Sequence, residues 1–312
     1  MKQLWFLLFL TIAWSFSNLY SQTEQKLLFS GEAYSWQTQF AKTNGLQRAY
    51  IFYQDQFVNT DGVSFSKEKM ESIVNSLMPD TAEHGFAIIN WEGTIYNALA
   101  GWVSVSETVY QQYLNQFIAA LRYAKKLRPN IQWSYYFMPT WVYGQYAEEK
   151  GTYQRKCLPL LKELDFLAPE FYPRYEAGLT VQQMFVSHYM TANLWFALAL
   201  GNMLNKPVYC FVWHRYCPSD DPAFTNGDML IDYPIYKQII AKLLTTEYFN
   251  NKASGIIWWN DEDYLCDRRT SNAILSAEYR NVTDLSAHKK YVLQTYLDAT
   301  LAVIDSINNL GK

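Results

Sequence analysis

An excess of charge of either sign is the first thing missing: 26 basic against 29 acidic residues leave a formal net charge of -3 over 312 residues. That balance gives no electrostatic argument for a nucleic acid or an anionic membrane as partner. Cysteine and histidine are scarce, with 4 of each. Cys157, Cys210, Cys217 and Cys266 lack the spacing of a zinc site, and no histidine lies at helical ligand spacing from another. The expectation is no metal and no cofactor. No Pro/Gly/Ser-rich linker or charge run divides the chain. No glycine-rich phosphate loop follows any expected strand, which argues against a nucleotide site. Beyond the first residues, no run is long and apolar enough to cross a bilayer.

Residues 1–21 do carry a pattern: Lys2, an apolar stretch from Leu4 to Trp14, then a polar exit of small residues. This reads as a cleaved secretory signal, which makes the mature protein secreted or periplasmic. No cysteine near the exit offers a lipid attachment point. Export permits disulfides, and of the three possible pairings Cys217 with Cys266, both read as loop residues, is preferred. Residues 22–312 are expected to form one barrel-sized domain. Aromatic residues are abundant, at 17% with 11 Trp and 25 Tyr. Such rings stack on pyranose faces, although core burial is their commoner use.

Periodicity predicts strands over 48–53, 85–90, 131–137, 166–169, 207–213 and 255–259. Helices are expected over 67–78, 105–127, 153–164, 181–204, 233–248 and 286–309. In the second of these, Val109, Tyr113, Phe117, Ala120 and Ala124 are placed along one buried side. Near-continuous apolar strands alternating with helices indicate a parallel sheet covered on both sides. The fold class is therefore α/β: an irregular (β/α) TIM-like barrel with a C-terminal helix and one or two strands still to be found. A doubly wound open sheet is the alternative.

Active sites of such barrels lie at the carboxyl ends of the strands. There the run Gly85-Phe86-Ala87-Ile88-Ile89-Asn90-Trp91-Glu92 places Asn90 and Glu92 two apart, on one face of a strand. An amide beside a carboxyl group suits holding an acetamido sugar and protonating its glycosidic oxygen, whereas most Asn-x-Glu triplets are a turn and a solvated acid. Trp91 is expected to face away, into the core. Asp55, Glu170, Asp261, Glu262 and Asp263 are the other acids at strand ends. If Glu170 or Asp261 stood about 5 Å from Glu92, a two-carboxylate retaining mechanism would be open. Arg174, Arg215, Arg268 and Arg269 are the basic residues placed to meet an anionic sugar, but they are scattered rather than grouped in a basic groove.

The segment from Leu121 to Pro129, followed by Trp133-Ser134-Tyr135-Tyr136-Phe137-Met138-Pro139, resembles the helix-to-strand passage of hyaluronidases of the eukaryotic venom and sperm type. Three further blocks agree in order: Phe166-Leu167-Ala168-Pro169-Glu170-Phe171-Tyr172-Pro173-Arg174, Lys206-Pro207-Val208-Tyr209, and Gly255-Ile256-Ile257-Trp258-Trp259 with Asp263. Together they span residues 85–265. The resemblance implies a distorted barrel that hydrolyses β-linked N-acetylhexosaminides with retention, the substrate's own acetamido oxygen acting as nucleophile. It makes Glu92 the general acid and then base, with Asn90 where that family has an aspartate. Tyr172 falls on its catalytic tyrosine and Trp259, rather than Trp258, on its sugar-stacking tryptophan. Its second active-site tyrosine falls on Val142, with Tyr143 one step later, and Gly93-Thr94-Ile95-Tyr96 replaces the arginine and tryptophan that follow its acid. Glu170, Arg174 and Asp263 complete the expected substrate contacts.

The leading expectation is a secreted glycoside hydrolase acting on N-acetylhexosamine-containing glycans, with hyaluronan not the first choice. Two alternatives stand beside it: a non-catalytic barrel that binds glycans through Tyr172 and Trp259, and a two-carboxylate glycosidase acting on sugars without an acetamido group. Partners are limited to an oligo- or polysaccharide substrate, with no nucleic acid and no membrane span.

Overall fold

The computed structural model describes residues 24–31, 35–140, 155–174, 180, 182–183, 189–218 and 227–310. Its main sheet has six parallel strands in the order β4-β3-β2-β1-β8-β5. They are β1 (Lys26–Gly31), β2 (Gln47–Tyr53), β3 (Gly85–Asn90), β4 (Ile131–Tyr135), β5 (Tyr209–Val212) and β8 (Gly255–Asn260). A small antiparallel pair, β6 (Glu247–Tyr248) and β7 (Asn251–Lys252), stands apart from it.

The edges do not stay open. Residues 165–171 run between β4 and β5: Asp165 N donates to Trp133 O at 2.9 Å and Ala168 N to Met138 O at 2.8 Å on one side. On the other, Tyr209 N donates to Leu167 O at 2.9 Å, Phe211 N to Pro169 O at 2.8 Å, and Phe171 N to Phe211 O at 2.9 Å. This segment pairs with both edges and closes the sheet on itself, as a barrel requires. The single-domain barrel is thus the fold, and the open doubly wound sheet is overturned.

Alternation along the strands sorts the side chains into two cores. Leu28, Ile51, Phe86, Ile88, Phe211 and Ile257 fill the barrel interior. Phe29, Phe52, Ile89, Trp133, Val212 and Trp258 point outward against the helices. Helix Glu107–Leu127 shows why the sequence folds as it does: the Ser106 side chain accepts from Val109 N at 3.4 Å, Glu107 lies in the first turn, and Lys125 and Lys126 lie in the last. Its buried face is Tyr110, Leu114, Phe117, Ala120, Leu121 and Ala124. Val109 and Tyr113 are only half-buried, so the stripe is rotated by about one residue from the expected one.

Strand β1 is the member the periodicity reading leaves out. Its apolar stretch, Leu27-Leu28-Phe29, is too short to register, yet β1 pairs with both β2 and β8. Helices Ser35–Thr43, Thr94–Leu99, Glu262–Arg268 and Ala273–Tyr279 are also additions. Helix Tyr233–Thr245 ends before the expected 248, because Phe249 and Asn250, at φ 49° and 59°, turn the chain into the β6–β7 pair. Helix Tyr189–Leu204 covers the C-terminal part of the one expected over 181–204. All four cysteines are free thiols. The Cys217–Cys266 pairing is therefore corrected: Cys266 lies on helix Glu262–Arg268 rather than in a loop. Residues 1–21, where a secretory signal is expected, lie outside the described residues. No helix among the described residues is long and apolar enough to cross a membrane.

Candidate active site

The interior side chains end in a polar and aromatic layer at the carboxyl ends of the strands. On β3, Phe86 and Ile88 point inward, so Asn90 follows them on the same face, paired across to Tyr53 on β2. On the other side, β4 pairs Tyr135 with Ile89, and Tyr136 N donates to Ile89 O at 3.0 Å, setting Tyr136 beside Asn90. Past Phe166 and Ala168 the same alternation delivers Glu170 and Tyr172, past Tyr209 and Phe211 it delivers Trp213, and past Ile257 it delivers Trp259. The barrel's pleat thus gathers residues that are far apart in the chain.

Four of these rings touch. Tyr172 and Trp259 stack with centroids 5.8 Å apart at 26°, Trp213 meets Trp259 edge-on at 4.9 Å, and Tyr136 lies 6.1 Å from Tyr172. Trp259 Nε1 donates to the Tyr53 hydroxyl at 3.3 Å, which fixes the indole plane. Trp259 stays half-buried, whereas Trp258 is fully buried against Phe29 on the outer side. Trp91 likewise leaves the site: it is buried and stacks on Phe117 at 4.7 Å and 9°.

Glu170 is 1% exposed and ringed by donors. Arg174 Nη2 lies 2.7 Å and the Tyr136 hydroxyl 3.1 Å from its Oε2, while Tyr172 N donates to Oε1 at 3.1 Å. Burial outweighs the Arg174 guanidinium, the Tyr136 hydroxyl and the Tyr172 amide, and leaves its carboxyl above the usual glutamate range. Three donors, one of them a permanent cation, nonetheless converge on its two oxygens, a donor set that fits the ionised carboxylate. Glu92 differs. It is solvent-exposed just past the end of β3, and among the described residues its carboxyl receives no hydrogen bond. Loss of water on its remaining sides, then the like charge of Glu170, push its carboxyl above the usual glutamate range, against the pull of Arg174. Two carboxyl groups thus share the site, both pushed upward by burial, one held by three donors and the other free of them.

A cleft of about 510 Å³ runs along Tyr53, Gln54, Asp55, Asn90 and Glu92. It also takes in Arg48 and Tyr50 on β2 and Leu77 at the end of helix Lys67–Leu77, and none of the four touching rings, so its volume describes the side of the site and not its aromatic floor. Among the described residues, Asn90 Oδ1, Ser30 Oγ and Trp213 Nε1, buried at this end of the barrel, find no hydrogen-bond partner.

The structure thus brings Asn90, Glu92, Glu170, Tyr172, Arg174 and Trp259 to one end of the barrel. Tyr143 lies outside the described residues. Asp263 is engaged elsewhere: Trp36 Nε1 donates to Oδ2 at 2.5 Å, Gln37 Nε2 reaches the same oxygen at 3.3 Å, and Lys289 pairs with Oδ1. It joins three helices. Of the four arginines, Arg215 is buried on Glu262 and Glu278, Arg268 pairs with Asp228, and Arg269 donates to Cys266 O. Only Arg174 faces the mouth. Tyr53, Tyr136 and Trp213 also belong to the site, and each stands two residues past an inward side chain, so the strand period places them there as it places Asn90. Among the described residues no group of three or more His, Cys, Asp or Glu side chains could hold a metal ion.

No protein-family model matches the chain, and no curated protein sequence matches it. Among solved structures, bee venom hyaluronidase is similar to it with a TM-score of 0.57 at 14% identity, over 86% of this chain and 100% of that one. The same bee enzyme in complex with a hyaluronic acid tetramer gives a TM-score of 0.55 at 13% identity, over 83% of this chain and 97% of that one. At these identities the likeness is one of fold, and it extends over nearly the whole barrel.

Proposed function

We propose that the protein is an exported glycoside hydrolase that cleaves β-linked N-acetylhexosamine-containing glycans with retention. The observation that carries this reading is the pairing of Glu92, its carboxyl pushed toward the protonated form, with Asn90 beside a stacked Tyr172–Trp259 platform. In the first step the substrate's acetamido oxygen attacks C1, the C1–O bond breaks, and the proton of Glu92 passes to the departing oxygen. In the second, Glu92 takes a proton from water as that water attacks C1 and opens the oxazolinium ring. Asn90 hydrogen-bonds the acetamido group, Tyr172 steadies it, and Trp259 stacks on the sugar. Buried polar atoms without partners at Asn90, Ser30 and Trp213 support a polar ligand here. The barrel likeness to an enzyme whose structure holds a hyaluronic acid tetramer agrees with this. Arg174, its charge already engaged by Glu170, offers little to an anionic sugar, which favours a neutral acetamido sugar over a polyuronate.

Glu92→Gln tests the reading. Turnover of a β-N-acetylhexosaminide is expected to fall by about 10²–10⁴-fold, with binding of a neutral oligosaccharide retained in calorimetry. Product stereochemistry read by NMR must be retention, and inversion would end the proposal. The nearness of Glu170 to Glu92 favours one other reading, in which Glu170 is a covalent nucleophile for sugars lacking the acetamido group. Labelling of Glu170 by a 2-fluoro glycoside supports that reading, and inhibition by a thiazoline mimic of the oxazolinium ring excludes it.

A further inference from the structure

We propose that Glu170 supplies at the reacting centre the negative charge that Asn90, as an amide, does not carry. This deepens the glycosidase reading above and rests on it. An oxazolinium-like transition state carries positive charge beside the acetamido group, and a fixed carboxylate there stabilises it where an amide dipole does so only weakly. The site contains one such fixed carboxylate. Tyr136 is the next residue to Asn90 across the sheet, and its hydroxyl donates to Glu170 Oε2 at 3.1 Å, so one phenol ring connects the two positions. Tyr172, which the reading places on the acetamido group, donates its own backbone N–H to Glu170 Oε1 at 3.1 Å.

Glu170 is built as a positioning residue, not as a nucleophile. It is 1% exposed, and both of its oxygens are engaged, one by Arg174 and Tyr136 and the other by the Tyr172 amide. An acid that must attack C1 needs an oxygen free to approach it, whereas an acid that acts by its field needs to stay still. The field of Glu170 reaches Glu92, Tyr96, Tyr136, Tyr172 and Cys217, and Arg174 opposes it at Glu92. The negative charge then stands on the segment between β4 and β5, and the proton donor stands just past β3.

The test is a charge-relocation cycle on the full chain, with kcat, KM and the pH profile measured on an N-acetylhexosaminide and folding checked by thermal melting. Glu170→Gln is expected to lower kcat by about 10²-fold with KM nearly unchanged, and to move the alkaline limb of kcat/KM to lower pH, because Glu92 loses a like-charged neighbour. Asn90→Asp alone is expected to lower kcat, since it sets a second negative charge beside the first. In the Glu170→Gln background the same Asn90→Asp change is expected to recover at least tenfold. If Asn90→Asp alone leaves kcat unchanged or raises it, the charge was absent from the native site and the proposal is overturned, whether or not Glu170→Gln folds. A Glu170→Gln protein that melts like the parent with an unmoved alkaline limb overturns it as well. If the parent protein neither cleaves any N-acetylhexosaminide nor binds the thiazoline mimic, the glycosidase reading fails and takes this one with it. Parent activity together with a failed cycle removes only the role of Glu170.

Discussion

Glu92 reaches the mouth because of its neighbour. Gly93 has φ 85° and ψ -156°, and it turns the chain out of β3 into helix Thr94–Leu99. That region of backbone space is essentially confined to glycine. Nothing but the far end of the Gln54 side chain, at 3.8 Å, lies near an added Cβ. The obstacle to a larger residue is therefore conformational, not steric crowding. Gly93→Ala is expected to cost about 1–3 kcal/mol of stability, and to lower kcat more than that loss explains by re-aiming the Glu92 carboxyl. Urea unfolding with a parallel assay separates the two effects, and a variant that keeps full kcat at reduced stability would remove Gly93 from the positioning of the acid.

Among elements, the one that closes the barrel is also the least regular, and Asp165 holds it. Its Oδ2 accepts from Trp133 N at 2.8 Å, its own N–H donates to Trp133 O at 2.9 Å, and Lys125 Nζ lies 2.6 Å from Oδ1. Together with Ser134 Oγ, which donates to Phe166 O at 2.7 Å, this side chain pins the segment carrying Glu170 and Tyr172 to β4. Asp165→Ala leaves the Trp133 amide unsatisfied near the core and is expected to cost about 1–3 kcal/mol, with hydrogen exchange accelerated at Ala168 and Phe171. Unchanged protection at those two amides would show that closure does not depend on Asp165. This element marks the limit of what the sequence discloses. Strands such as Phe86-Ala87-Ile88-Ile89 are legible because parallel strands are buried on both faces, and the positions of Asn90 and Glu92 follow from the pleat. Strand β1 was not legible, since three apolar residues fit many elements, and neither was the use of Asp263, Arg215 or Arg268 as internal fasteners. Those three depend on contacts with residues distant in the chain, which period and spacing do not encode. Tyr53, Tyr136 and Trp213 lay between: the alternation that placed Asn90 applies to them equally.

At the scale of the whole molecule, the C-terminal helices are tied to the barrel by one buried charge network centred on Glu262. Arg215 Nε and His214 Nε2 each lie 2.8 Å from its Oε1, and Arg215 Nη2 lies 2.8 Å from Oε2. Arg215 Nη1 reaches Glu278 at 2.7 Å, and Glu278 in turn meets His288 at 3.1 Å. Trp258 Nε1 donates to His214 Nδ1 at 3.1 Å, so the neutral imidazole carries its proton on Nε2 and donates it to Glu262. Burial also lowers the His214 pKa and keeps the ring neutral. Burial alone would push the Glu262 carboxyl up, but the charge of Arg215 and the hydrogen bonds from His214 and Arg215 outweigh it and hold it well below the usual range. A carboxyl group depressed in the folded state stabilises the fold fully above its unfolded pKa of about 4.3 and loses that contribution as the pH falls toward its folded value. Glu262→Gln removes the charge and leaves Arg215 buried with Glu278 as its remaining carboxylate, an expected loss of about 3–5 kcal/mol at neutral pH. Urea unfolding between pH 7 and pH 3 checks the origin of that loss: the gap between the parent protein and Glu262→Gln should be constant down to about pH 5 and narrow below it. Two curves that remain parallel to the acid end would mean that packing around helix Glu262–Arg268, and not the ionised carboxylate, fastens the C-terminal helices to the barrel.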